Sequence, residues 1–116
     1  MPPGTVIVLQ KLSIGSVHPD ELEFAAEMLD RFLHTLEAPA LRPQAICFYT
    51  DGVRAACKGS PLLLGLQLLE GTGVDMLVCR TCLEHFGLLD SVAVGKIVTM
   101  KDIVATLTSA ARVLYP

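Results

Sequence analysis

Residues 5–9 read Thr, Val, Ile, Val, Leu without a polar break. This is the pattern of a strand covered on both faces in a parallel sheet, not of an alternating edge strand. Residues 10–20 turn polar and carry Gly15, two serines and Pro19, so regular structure stops there. A helical period follows: Leu22, Ala25, Leu29, Phe32, Leu33 and Leu36 share one stripe, while Glu21, Glu27, Asp30 and Arg31 fall mostly off it. Either Asp20 with Glu23 as its cap partner, or Pro19 as first residue, opens this helix. It runs to about Glu37, and Pro39 and Pro43 end it.

Residues 45–49 (Ala, Ile, Cys, Phe, Tyr) predict a second buried strand leading into the turn signal Asp51-Gly52. Residues 53–59 form a loop or single turn, and Ser60-Pro61 caps the next helix. That helix, 61–71, has leucine at 62, 63, 64, 66, 68 and 69. It is apolar almost all round, which calls for burial against the sheet on one side and a neighbouring subunit on the other. Gly71 and Gly73 close it, and 74–78 supplies a third strand. A short helix over 81–85 stops at Gly87. A fourth strand at 94–98 precedes Thr99 and Asp102, which resemble a capping box for a last helix facing the core with Ile103, Leu107 and Ala110. Residues 112–115 either extend that helix or make a terminal edge strand; the pattern alone does not choose.

Strand and helix alternate four times without repeats or linkers. The expectation is one domain over 1–116, a three-layer αβα sandwich on a mostly parallel sheet of four to five strands, flavodoxin-like in topology, with right-handed crossovers. In such sheets the loops after the strand C-termini share one edge, where ligands bind. Loops 13–18, 50–57 and 79–82 should open there together, which lets Cys57 approach Cys79 and Cys82.

Composition narrows the function classes. A chain of 116 residues buries a core without disulfides or metal, and 52% hydrophobic residues against 18% charged ones describe an aliphatic globular protein with apolar surface left for a homo-oligomer. A net charge of −3, a pI near 5.5 and scattered basic residues exclude a nucleic-acid or anionic-membrane footprint. Residues 1–4 lack a signal-peptide pattern and no apolar run is long enough to span a bilayer, so a cytoplasmic location is expected. There the four cysteines are thiols, reactive groups or packing residues rather than a disulfide framework. Cys47, inside the second strand, reads as packing.

The chemistry concentrates in Cys79-Arg80-Thr81-Cys82, where the third strand gives way to a helix. A thiol reacts as its thiolate, and a helix start with Arg80 between the sulfurs favours the anion. His85, three residues beyond Cys82, is at best an orienting partner and reads more simply as a partly exposed histidine. Ser16 and His18 lack a nucleophile elbow, and Gly71-x-Gly73 lacks the strand-to-helix setting of a phosphate loop. Zinc would need Cys57 added to Cys79, Cys82 and His85, so neither metal nor cofactor is expected.

Several segments resemble one family. Asp20-Glu21-Leu22, Phe48-Tyr49 with Gly52-Val53, Gly59-Ser60, Cys79-x-Thr81-Cys82-Leu83 with Phe86-Gly87-Leu88, and Val94-Gly95-x-Ile97 with Met100 follow the order seen in DsrE/DsrF-like sulfur-relay proteins. The chain most resembles the C-terminal domain of YedF-like selenium-metabolism proteins. Arg80 stands where glycine is usual, and Thr50 and Thr99 where those domains carry asparagine. The resemblance implies a five-stranded sheet, with 112–115 as the fifth strand, and dimers, trimers or hexamers. It implies a sulfane sulfur carried as a persulfide on Cys79 and exchanged with protein donors and acceptors, with Cys82 as a resolving partner and selenium as a further cargo. Arg80, Thr81, His85, Cys57 and Thr50 are the supporting candidates. A non-enzymatic oligomeric assembly module with an idle pair is the alternative. A dithiol oxidoreductase fits less well, because thioredoxin-like motifs follow an early strand and this one follows the third.

Overall fold

The computed structural model describes residues 3–116. Met1 and Pro2, part of the segment read as lacking a signal peptide, lie outside the described residues. The β-branched run forms strand β1 (Thr5–Leu9), all five residues buried. Strands β2 (Ala45–Phe48), β3 (Asp75–Cys79), β4 (Lys96–Val98) and β5 (Arg112–Leu114) follow. All four pairings are parallel, in the order β4-β3-β2-β1-β5. The three-layer α/β expectation holds, and residues 112–114 do make the fifth strand. The strand order departs from flavodoxin's 2-1-3-4-5. Here the chain steps from β1 through β4 in one direction and then returns to the far side of β1.

Helices α1 (Leu22–Thr35), α2 (Leu63–Gly71), α3 (Arg80–Phe86) and α4 (Met100–Ser109) fill the connections, with short 3-10 turns between them. Helix α1 buries Ala25, Leu29 and Leu33 and packs against α2, each full leucine burial contributing roughly 1.5–3 kcal/mol. Of its two expected openings the Asp20 cap does not form, Asp20 pairing instead with His18 at 3.1 Å, while Pro19 begins the 3-10 turn Pro19–Glu21 that runs into the helix. Helix α2 buries Leu66 and Leu69, with Leu62 just ahead of it also buried, and turns Leu64 and Leu68 outward. At α4 the expected box is present, the Thr99 side chain accepting from the Asp102 N–H and the Asp102 side chain from the Thr99 N–H. Strand β4 starts two residues later than its pattern. Gly95 has a φ of +88°, and a Cβ there would come within 2.8 Å of Met76.

Register positions the site. Leu9 pairs with Phe48, Phe48 with Val78, and Cys79 with Val98. The C-terminal ends of β1, β2 and β3 are therefore nearly level, with adjacent strands about 5 Å apart. The segments leaving β2 and β3 begin side by side, and that adjacency brings loop 50–57 to the Cys-x-x-Cys.

Candidate functional site

Cys79 closes β3 with no exposed surface, while Cys82, in the first turn of α3, is half-buried. Both are free thiols, and the two side chains lie within hydrogen-bonding reach of each other. The expected source of anion stabilisation was the start of α3 with Arg80. Arg80 instead lies exposed, and the groups acting on the Cys82 thiol are its burial, Thr50 and Cys79.

The donor comes from the loop after β2. Thr50 is the single non-glycine residue with positive φ among the described residues, at 51°. For a β-branched side chain this left-handed conformation is strained and persists only where the surroundings impose it. Its hydroxyl proton is shared between two carbonyls, that of Gln10 at 3.1 Å and that of Tyr49 at 2.6 Å. Beneath it, Tyr49 N–H donates to the Leu9 carbonyl at 3.3 Å. Gly52 presses on that same carbonyl so closely that a Cβ would sit 1.9 Å from the oxygen. The 3-10 helix Thr50–Ala56 is thereby clamped onto the end of β1. With the backbone turned this way, Thr50 N–H donates to Cys82 Sγ at 3.0 Å. That is the length of an ordinary N–H···O bond, although sulfur is the larger atom. Burial pushes the Cys82 thiol up from its ordinary value, the Thr50 N–H opposes this, and the Cys79 thiol beside it adds to the rise.

The remaining candidates separate. Thr81 and His85 are exposed, His85 resting edge-on against Phe86 with ring centroids 5.0 Å apart. Among the described residues neither forms a hydrogen bond to a thiol. Cys57 is buried at the end of the 3-10 helix, and its thiol donates back to the Val53 carbonyl at 3.3 Å rather than turning to the pair. Burial raises it, with Arg54 opposing. Cys47 is buried in β2, and burial pushes its thiol up to about 11. Arg54, which the sequence did not single out, lies 4.2 Å over the Phe86 ring and pairs with Asp51 at 2.9 Å. It tethers the 3-10 helix to α3 one turn below Thr50 and Cys82. Gly52 could have been found from the Asp51-Gly52 turn signal, but the clamp it makes could not. No group of three or more His, Cys, Asp or Glu is placed to hold a metal ion among the described residues.

The same sheet edge holds a cavity of about 470 Å³ at the end of β1, lined by Lys11, Leu12, Ser16, Val17, Leu22 and Asp51 among others. Loop 13–18 therefore faces this cavity, with Asp51 as its link to the Thr50 loop. Neither Cys79 nor Cys82 lines it. The edge has one place with paired thiols and another with room.

Comparison with known proteins adds the following. The DsrE/DsrF-like family model matches residues 16–116. No curated protein matches. Two similar solved structures are the ychN protein from E. coli, 20% identical with a TM-score of 0.66, and the protein of unknown function MTH1491 from Methanobacterium thermoautotrophicum, 19% identical with a TM-score of 0.72. Each alignment covers 99% of this chain and 100% of the other. At these identities the likeness concerns the fold.

Proposed function

We propose that this chain, which belongs to the DsrE/DsrF-like family, relays sulfane sulfur through Cys79 and Cys82. The sulfur is carried as a persulfide on Cys79 and handed to a partner protein. The observation that carries this reading is the hydrogen bond from Thr50 N–H to the Cys82 sulfur, immediately beside Cys79 at the end of β3. A sulfur that becomes anionic gains more from a charge-assisted N–H bond than a neutral thiol does, so the arrangement suits thiolate chemistry better than packing. Full burial of Cys79 supports storage, since a persulfide there is shielded from soluble thiols and oxidants.

A cytoplasmic, reducing setting keeps both thiols free. No helix among the described residues is long and apolar enough to cross a membrane. Copies of the chain associate in this reading, using Leu64 and Leu68 of α2, whose 64% and 44% exposure leaves apolar surface to cover. Selenium, suggested by the YedF-like resemblance, would take the same position as the sulfane sulfur.

The test is intact-protein mass spectrometry after incubation with a small persulfide donor. One added sulfur, removed by reductant and mapped to the peptide holding Cys79 and Cys82, is the expected result. A variant with both cysteines replaced by serine should gain none. Absence of the added sulfur in the native chain, or its location elsewhere, would leave the idle-pair assembly module as the better description.

A further inference from the structure

The reading above rests on a pair of thiols of which only one meets solvent. Cys79 has no exposed surface, whereas Cys82 is half-buried and receives the N–H of Thr50. A donor persulfide in solution cannot bring its sulfur to Cys79 without first displacing what covers it. We infer that Cys82 is the loading thiol, that the Thr50 N–H is the fixed donor holding its sulfur while it is negative, and that the sulfur moves inward from Cys82 to Cys79. This refines the proposed sulfur relay and depends on it.

The atoms balance without an oxidant. The Cys82 thiolate attacks the outer sulfur of a donor R–S–SH; a Cys82 S–S bond forms, the donor S–S bond breaks, and R–S⁻ leaves and takes up the proton that the Cys79 thiol releases. The Cys79 thiolate then attacks the outer sulfur of the Cys82 persulfide. The sulfur transfers, and Cys82 departs as a thiolate into the Thr50 N–H. The sum is R–S–SH plus the Cys79 thiol giving R–SH plus the Cys79 persulfide, with the sulfane sulfur unchanged in oxidation state. Cys82 thus reacts as a thiolate at the start of the exchange and leaves as one at its end, and it is the sulfur to which the backbone donor points.

The cost of Thr50's conformation favours this role over a packing contact. Thr50 is exposed, so its N–H could be satisfied by water in a relaxed conformation. Instead it is held at φ 51° by bonds to Gln10 and Tyr49, the second at 2.6 Å, on a segment seated against Leu9. A donor fixed in advance need not reorganise when charge appears, which is the logic of an oxyanion hole applied to sulfur.

The single-cysteine variants separate this inference from the reading beneath it. With the small persulfide donor, the native chain and Cys79→Ser should each take up one sulfur, on Cys82 in the variant. Cys82→Ser should load Cys79 at least about tenfold more slowly, because the buried thiol has lost its port. Equal loading of Cys82→Ser and the native chain overturns the inference and leaves the relay standing; no loading of the native chain overturns both.

Thr50 is tested through the pH profile of Cys82 alkylation in a Cys79→Ser background. Thr50→Val, which opposes the left-handed conformation and lacks the hydroxyl tether, should shift the profile to higher pH and slow the reaction roughly tenfold at neutral pH, the scale of a hydrogen bond to a charged group. Thr50→Asn tolerates the conformation, keeps the N–H and should restore the profile, which a purely structural loss would not predict. If Thr50→Val remains folded by circular dichroism and its profile does not move, the donor role is wrong; if both variants shift alike, the role belongs to the Thr50 side chain and the inference also fails.

Discussion

The two ends of the 3-10 helix Thr50–Ala56 treat sulfur in opposite ways. At its start a backbone N–H is donated to Cys82; just past its end the Cys57 thiol donates to the carbonyl of Val53. A sulfur that accepts is prepared to carry negative charge, and a sulfur that donates is held in its neutral form. Both thiols are raised by burial, so burial alone does not tell them apart. The direction of the hydrogen bond does: Cys82 accepts one and Cys57 donates one.

The most damaging way to break this contrast is at its anchor. Gly52→Ala would place a Cβ 1.9 Å from the Leu9 oxygen, against backbone that cannot yield. It should destabilise the protein by about 3 kcal/mol or more in urea denaturation and uncouple Thr50 from Cys82. Wild-type stability in that variant would show that the clamp does not hold the loop.

Alkaline pH offers the next effect, with a sign that follows from burial. Cys47 ionises near 9.0 when unfolded and at about 11 when folded. Below pH 9 both states hold the proton. Between pH 9 and 11 the unfolded state loses it first, so stability falls across that window. Cys47→Ala should flatten this decline in urea melts at a series of pH values; an unchanged slope would assign it to other groups.

A smaller change should sharpen the contrast. Cys57→Ala removes a buried thiol and its bond to Val53, at a loss of about 1–2 kcal/mol, while the pH profile of Cys82 alkylation stays where it was. Movement of that profile would mean that the two ends of the helix are coupled and that Cys57 belongs to the site. The smallest effect is expected from Arg54→Gln, which removes the cation over Phe86 and a solvent-exposed ion pair with Asp51. A loss of roughly 0.5–1 kcal/mol should appear in thermal melts, again without altering Cys82.

Local pattern carried much of the architecture. The uninterrupted apolar run of β1, the 3.6-residue stripe of α1 and the Thr99–Asp102 box depend on neighbours a few residues away, and each appears where its spacing placed it, except that Leu22 at the start of the stripe is exposed. Two patterns gave way, one to a partner close in sequence and one to a distant one. Of the two openings offered for α1, Asp20 pairs with His18 instead of capping while Pro19 starts the 3-10 turn that leads into the helix, and the 94–98 strand begins only at Lys96, Gly95 passing against Met76. For helix α2 the pattern calls for cover from the chain itself and from a neighbouring subunit; the chain buries Leu66 and Leu69 and leaves Leu64 and Leu68 exposed.

The sequence by itself determined that a Cys-x-x-Cys stands at the junction of the third strand and a helix, because that placement follows from period and turn residues within one short stretch. Only the tertiary structure decided what meets those sulfurs. Thr50 and Cys82 are 32 residues apart and touch because the parallel register levels the ends of β2 and β3. The donor is a backbone N–H, which every residue but proline possesses, so no residue type could announce it. Its direction is set by a left-handed turn that Gln10, Tyr49 and Gly52 impose together. The same register leaves Cys79 covered and Cys82 half-buried, so the two sulfurs of one motif meet different surroundings.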